Sequence, residues 1–238
     1  MFYDQSTFDV RCEWGLGGVK YVGDAADVRI IVDVLSFSTC VEVAISRGAT
    51  VIPYRWKDER ALLYAAEIGA ELAVPRGQTG RFSLSPRSIL EAVAGDTIVL
   101  PSPNGSELTV EAAALGGVVV CGCFRNCCAV ATYAAARGRA VTVVACGERW
   151  PDGTLRPAVE DLAGAGAIIA NLPGTVSPEA RVAVAAWETA RNDLNAFLRS
   201  CASGRELLAR GFDEDVEIAA QVDCGAGVPV LRGGAYVR

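Results

Sequence analysis

An α/β fold, with a mainly parallel sheet covered by helices on both faces, follows from three observations on this sequence. Apolar runs of strand length alternate with segments of helical spacing. The run Val28, Ile30, Ile31, Val32 is apolar apart from Arg29, as in a strand buried on both faces. Polar loops rich in Gly, Asn and Ser follow strand after strand, the pattern of repeated strand-helix units.

The elements can be taken in order. Residues 8–14 alternate (Phe8, Val10, Cys12, Trp14) as an early strand, and Gly15 to Gly18 read as a turn without a dinucleotide fingerprint. The strand at 28–32 ends on Asp33. Ser36, Ser38 and Thr39 then open a helix carried by Val41, Val43, Ala44 and Ile45 and closed by Gly48. A strand at 50–53, an amphipathic helix at 57–68 and a short strand at 71–74 follow. Residues 75–88 form a long polar loop whose Arg76, Arg81 and Arg87 either grip an anion or are simply solvated. Further strands at 97–100, 118–121 and 140–145 each lead through a polar loop to a helix, at 107–114, 129–136 and from Glu160 to about residue 172. Residues 149–158 read as a surface loop. Helices at 177–191, 193–200 and 203–209 and a strand at 228–231 complete the chain.

The 238 residues are 51% hydrophobic, enough to bury a large core. We expect one domain over 1–238, with room for a small helical C-terminal subdomain over about 175–238. No apolar run reaches the roughly 18 residues that span a bilayer, and the first residues lack a signal-peptide pattern. The expectation is therefore a cytoplasmic protein with no membrane partner, and a homo-oligomer stays open. A net charge of −6 without a basic, aromatic-interleaved patch argues against nucleic acid. Nine cysteines with no export signal read as reduced thiols. Cys121, Cys123, Cys127 and Cys128 invite a thiol-metal reading, but their spacing lacks zinc-site pairs, and small buried cysteines at a strand end are the better account. The absence of histidine removes Ser-His-Asp and Cys-His mechanisms.

If the strands are parallel, Asp33, Asn104, Asn126 and Glu148 all fall at or just past carboxyl ends, where helix N-termini offer free N–H groups. Glu160 and Asp161 open a helix nearby. Asp33 alone could be a helix cap, and Glu160-Asp161 a complement to a helix dipole. Together, carboxylates around one cleft repel one another unless protons or a cation intervene. Oxygen ligands without His suit Mg²⁺, which keeps room for phosphate oxygens.

The runs VDVLSFSTC (32–40), SPNGS (102–106), CGCFRNCCAVA (121–131), CGE (146–148), VEDLAGAGAII (159–169) and GFDEDV (211–216) resemble, in order and spacing, the motifs of the 2-phosphosulfolactate phosphatase (ComB) family. The resemblance implies a Mg²⁺-dependent phosphatase that converts (2R)-phosphosulfolactate to sulfolactate and phosphate in coenzyme M biosynthesis. It makes Asp33, Glu148, Glu160 and Asp161 the catalytic candidates, with Asp33, Glu160 and Asp161 as inferred metal ligands. Ser38, Thr39, Asn104, Gly105, Ser106, Asn126, Arg76 and Arg125 are the substrate and phosphate candidates. The expected partner is a small phosphorylated anionic metabolite.

Three departures stand out. Ser36 replaces an Arg expected beside Asp33, residues 75–78 (PRGQ) replace a Gly-Glu-Arg-Gly loop, and SPNGS replaces TTNGT. Arg76, Arg81 and Arg125 are the candidates to supply the missing guanidinium. Haloacid-dehalogenase chemistry is disfavoured because position 35 is Leu, and cysteine-phosphatase chemistry because Cys40 and Arg47 are one residue too far apart. Another phosphorylated hydroxy acid as substrate, or a non-catalytic binder of a small anion, are the competing readings.

Overall fold

Residues 2–55 and 58–238 are described by the computed structural model. The strands are β1 (Val10–Trp14), β2 (Val28–Val32), β3 (Thr50–Tyr54), β4 (Glu71–Leu72), β5 (Thr97–Pro101), β6 (Val118–Cys121), β7 (Val141–Ala145), β8 (Glu148–Arg149), β9 (Leu155–Arg156), β10 (Val230–Arg232) and β11 (Ala235–Val237). The helices are α1 (Gly15–Gly17), α2 (Phe37–Ser46), α3 (Glu59–Glu67), α4 (Pro86–Ile89), α5 (Gly105–Ala114), α6 (Cys127–Ala135), α7 (Val159–Ile169), α8 (Pro178–Ala190), α9 (Leu194–Ser200), α10 (Ala202–Ala209) and α11 (Asp213–Ala219). The helix expected over 57–68 is α3; Lys57 itself lies outside the described residues.

Among the described residues the main sheet runs β1-β7-β2-β6-β10-β11-β3-β5-β4. β1, β7, β2 and β6 form one parallel block, with Ile30 of β2 level with Val143 and Val120. β3, β5 and β4 form a second. The β10–β11 hairpin joins them and is antiparallel to each neighbour, so the fold is α/β with a mixed, mainly parallel sheet. Strand by strand, the second block therefore runs opposite to the first. A twist of roughly 20–25° per step, summed over the five steps from β2 to β5, rotates it by more than a right angle. The segments after β2 and β5 meet: the Gly105 N–H donates to the Asp33 carboxylate at 3.0 Å.

Both faces are covered, as the mainly apolar strands require. Val28, Ile30 and Val32 pack with Val130, Ala163 and Ile168 of α6 and α7, while Ile31 packs with Leu108 and Ala112 of α5 on the other face. Each such burial contributes roughly 1.5–3 kcal/mol. The small residues of α7 allow a close crossing with α8: a Cβ on Gly166 would lie 1.9 Å from the Ala183 carbonyl oxygen.

Several segments differ from the sequence expectation, beginning with the end of the 75–88 loop, where Pro86–Ile89 form α4. Gly15 to Gly18 do not form a simple turn; α1 runs into a π-helical segment, Gly18–Val22. The loop at 149–158 contains the β8–β9 hairpin, closed by Trp150 N–H to Thr154 O at 2.8 Å. α11 and β11 are additional elements. No helix among the described residues is long and apolar enough to cross a membrane.

Candidate active site

The turn after β2 is held by its own hydroxyls. Ser38 Oγ accepts the Asp33 N–H at 2.8 Å and donates to the Ile31 carbonyl at 3.1 Å, and Thr39 Oγ1 donates to the Val34 carbonyl at 2.8 Å. Ser106 Oγ similarly donates to the Leu100 carbonyl at 2.7 Å where β5 becomes α5. These hydroxyls are fully buried and shape the turns that carry the site. Asp33, only 5% exposed, accepts the Phe37 N–H at 3.2 Å and the Gly105 N–H at 3.0 Å. One carboxylate thus accepts from the first free N–H groups of both α2 and α5. That convergence needs glycine at 105, because a Cβ there would lie 2.2 Å from the Phe37 ring.

Asp33 opens onto a polar cleft of about 260 Å³ that Ser36, Asn104 and Glu148 also line. Asn104 Nδ2 donates to Glu148 Oε2 at 3.0 Å and so fixes it. Four guanidiniums ring the cleft: Arg76, Arg149, Arg156 and Arg210. Arg76 donates to Ser36 Oγ, and its Nε lies 3.0 Å from Asp215, which is 1% exposed and also accepts Ser85 Oγ–H at 2.5 Å and Arg87 N–H at 3.1 Å. Arg156 donates to Ser203 Oγ at 3.0 Å, Arg149 pairs with Glu107, and Arg210 pairs with Glu206 at 3.1 Å. At Ser36, where the resemblance leads one to expect an arginine, the guanidinium of Arg76 arrives from another loop and donates to the hydroxyl.

Glu160 and Asp161 sit behind this cleft. Asp161 accepts Val34 N–H at 2.7 Å and Gly147 N–H at 2.8 Å, tying the ends of β2 and β7 together. Burial, with the nearby Asp33 and Glu160 charges, pushes its carboxyl well above the usual carboxylate range. Glu160 is 2% exposed, its Oε2 has no hydrogen-bond partner among the described residues, and its neighbour is the Cys201 thiol, which burial pushes up to about 12. The expected metal trio does not assemble: among the described residues Asp33, Glu160 and Asp161 do not bring their oxygens within 4.8 Å of one another. The reason is helical geometry, since successive residues diverge by about 100°. Asp33, Glu148 and Glu206 are the carboxylates that line the cleft; Glu206 pairs with Arg210 at 3.1 Å, and the other two, with room for water and substrate oxygens, match the needs of Mg²⁺.

Arg125 and Asn126 are not brought to the cleft. Arg125 is buried against Glu42 and Gln221 and donates to the Ile218 carbonyl at 3.3 Å. Asn126 accepts the Cys123 N–H at 2.9 Å and donates to the Gly227 carbonyl at 3.2 Å. Arg81 instead pairs with Asp96. Conversely, sequence patterns do not single out Arg149, Arg156, Arg210 or Asp215. Arg149 adjoins Glu148 and Asp215 lies in the GFDEDV run, but Arg156 and Arg210 carry no local signal.

A carboxylate held by two helix N-termini at converging strand ends, facing a cleft ringed by arginines, defines an anion-binding α/β protein. The chain belongs to the 2-phosphosulpholactate phosphatase family, whose model matches residues 19–234. It is 33% identical over 219 residues to a Thermus thermophilus protein named "Probable 2-phosphosulfolactate phosphatase", covering 87% of this chain and 89% of that one. It is 31% identical over 217 residues to the 2-phosphosulfolactate phosphatase of Methanothermobacter thermautotrophicus, covering 89% of each. A Gloeobacter violaceus protein, also named a probable 2-phosphosulfolactate phosphatase, is 29% identical over 212 residues, 85% of this chain and 87% of its own.

Proposed function

We propose that this chain is a Mg²⁺-dependent phosphatase acting in the cytoplasm on a small, multiply anionic phosphate monoester. The relatives' names make 2-phosphosulfolactate the favoured substrate, hydrolysed to sulfolactate and phosphate on the route to coenzyme M. The observation that carries the reading is the juxtaposition of Asp33 with Arg76, Arg149, Arg156 and Arg210 in one polar cleft. Carboxylates serve the chemistry and guanidiniums grip the anion.

Asp33 and Glu148 would hold the magnesium, which when bound supplies charge neutralisation of phosphoryl oxygens and a more acidic attacking water. Asp33 is pre-fixed by the Phe37 and Gly105 N–H groups, so it does not reorganise as substrate enters. Asn104 orients Glu148. Arg76, aimed by Asp215, binds an anionic group beside Asp33, and the other three arginines hold the remaining charge.

The test is phosphate release from phosphosulfolactate and phospholactate, with and without Mg²⁺, by wild type, Asp33→Asn and Arg76→Ala. We expect chelation or Asp33→Asn to remove nearly all turnover, because the amide matches the carboxylate in size but not in charge. Arg76→Ala should narrow the preference for phosphosulfolactate by about tenfold or more. Near-normal turnover by folded Asp33→Asn would overturn the assignment. Retained binding of the whole panel with no phosphate released by wild type would make the protein a binder.

A further inference from the structure

Residues 220–229 join α11 to β10 without regular structure, and polar contacts pin them to the start of α6. Asp223 N–H donates to the Phe124 carbonyl at 3.0 Å, and Gly225 N–H to the Arg125 carbonyl at 2.9 Å. At the centre of this seam, Cys127 Sγ lies 3.3 Å from each Asp223 carboxylate oxygen, and Cys128 donates its backbone N–H to Oδ1 at 2.9 Å. Among the described residues, Cys127, Cys128 and Asp223 form the one group of three such side chains with ligand atoms within 4.8 Å of one another. Asp223 capping α6 explains the N–H contact but not the two thiols gathered with it.

We propose that Cys127, Cys128 and Asp223 bind a thiophilic divalent cation of the zinc class, with water in a fourth position, and that the cation fastens the 220–229 segment to α6. The spacing suits it. Bonds of about 2.3 Å to sulfur and 2.0 Å to oxygen, at a tetrahedral angle, separate the two ligand atoms by roughly 3.5 Å. The 3.3 Å between Cys127 Sγ and Asp223 is close to that, so a cation can replace the thiol proton with little movement. Two thiolates select soft cations over Mg²⁺. Cys127 is buried while Cys128 and Asp223 are exposed, which leaves an entry path.

The charge balance is simple. One M²⁺ bound by two thiolates and one carboxylate makes a complex of net charge −1, and the two thiol protons are released. Because both thiols must lose their protons to bind, the site fills more readily as pH rises. This is not the four-thiol set that the sequence run suggests. Cys121 is engaged with Ser38 Oγ at 3.2 Å, and Cys123 faces Asn126 Oδ1 at 3.7 Å. None of the three ligands lines the cleft, so the site stands apart from the phosphatase reading.

The test titrates chelator-stripped, reduced protein with Cd²⁺, whose thiolate complexes absorb in the ultraviolet, and then displaces it with Zn²⁺. We expect saturation at one equivalent and a higher melting temperature. Cys127→Ser and Cys128→Ser should each abolish the signal, and Cys224→Ser should leave it unchanged. Loss of an outer-sphere partner weakens a metal site by roughly 10–100-fold, so Asp223→Asn should cost at least that. Because Cys128 is exposed, its variant separates binding from folding. No saturable signal in wild type, or a signal surviving in the Cys127→Ser and Cys128→Ser proteins, overturns the proposal.

Discussion

Asp215→Asn removes the charge that aims Arg76 while leaving the side-chain volume almost unchanged. Three donors converge on this buried carboxylate: Arg76 Nε at 3.0 Å, Ser85 Oγ at 2.5 Å and Arg87 N–H at 3.1 Å. An asparagine presents one acceptor oxygen and one NH₂ donor, so at least one of the three donors must meet a donor. Breaking one side of a buried pair costs about 3–5 kcal/mol. Arg76 keeps 12% of its side chain exposed, and solvent there should lower the loss to about 2–3 kcal/mol. At roughly 2–4 °C per kcal/mol for a chain of this size, the melting temperature should fall by about 4–12 °C.

The effect on the cleft can be worked the same way. An Arg76 that swings away from Ser36 loses one charge-assisted hydrogen bond to substrate, about 1.5 kcal/mol or more, which is roughly tenfold in affinity. KM and the inhibition constant of inorganic phosphate should both rise about tenfold, with kcat changed much less. Thermal denaturation and steady-state phosphate release measure these quantities. In an Arg76→Ala background, Asp215→Asn should add almost nothing to KM, because the two residues act as one unit. A folded Asp215→Asn protein with unaltered KM and phosphate inhibition would refute Arg76 as the anion grip.

Gly105→Ala should destabilise the protein by about 1–3 kcal/mol and lower turnover, because the new methyl overlaps the buried Phe37 ring and moves the N–H that holds Asp33; thermal denaturation and phosphate release check both. Alkylation of folded, chelator-stripped protein at pH 7 should label Cys128 and Cys224 and spare Cys12 and Cys201, whose thiols burial pushes up to about 12. Because the thiolate is the nucleophile, labelling should rise with pH, as peptide mass spectrometry would record. Arg139 and Thr175 hold the Asp9 carboxyl well below the usual range, so its contribution is present above about pH 4 and is lost as pH falls through its folded value. Denaturant melts should therefore show Asp9→Asn destabilising the protein at pH 7 and progressively less in strong acid.

The parallel blocks were legible because β2, β5, β6 and β7 are buried on both faces and so carry mainly apolar runs, interrupted by Arg29 in β2 and Thr142 in β7. The reversal between the blocks was not, because it rests on a short hairpin that meets its neighbours at single residue pairs, Val230 with Val120 and Tyr236 with Val51. A signal for it exists: Gly233-Gly234 between two short apolar runs is a two-residue hairpin loop, and both glycines have positive φ, 57° and 85°. α11 is too short for helical periodicity to stand out, and its acidic first turn reads equally well as a solvated loop.

At the site, strand ends predicted Asp33, Asn104 and Glu148 to converge, and the cleft contains all three. Chain order says only that residues lie past a strand; it does not say where their side chains turn. Ser38, Thr39 and Ser106 turn inward to satisfy carbonyls, Asn126 braces the β10 approach, and adjacent Glu160 and Asp161 diverge. Arg156 and Arg210 come from a hairpin and from the end of α10, segments whose position follows from tertiary packing.

Position 36 is a serine where the resemblance implies an arginine, and Arg76 is the guanidinium that reaches it. An arginine there would spring from the turn that carries Asp33 and would need no further support. Arg76 instead reaches Ser36 from the 75–88 loop, and its direction is set by Asp215 on α11, to which Ser85 and Arg87 of the same loop are also tied. One buried carboxylate therefore fastens both the guanidinium and the loop that delivers it. Any motion of α11 would move the anion grip relative to Asp33, which is fixed independently by α2 and α5. The proposed catalytic carboxylate and the proposed substrate clamp rest on different elements of the fold, so changes in substrate preference can arise at Asp215 and Arg76 without disturbing the turn that holds Asp33.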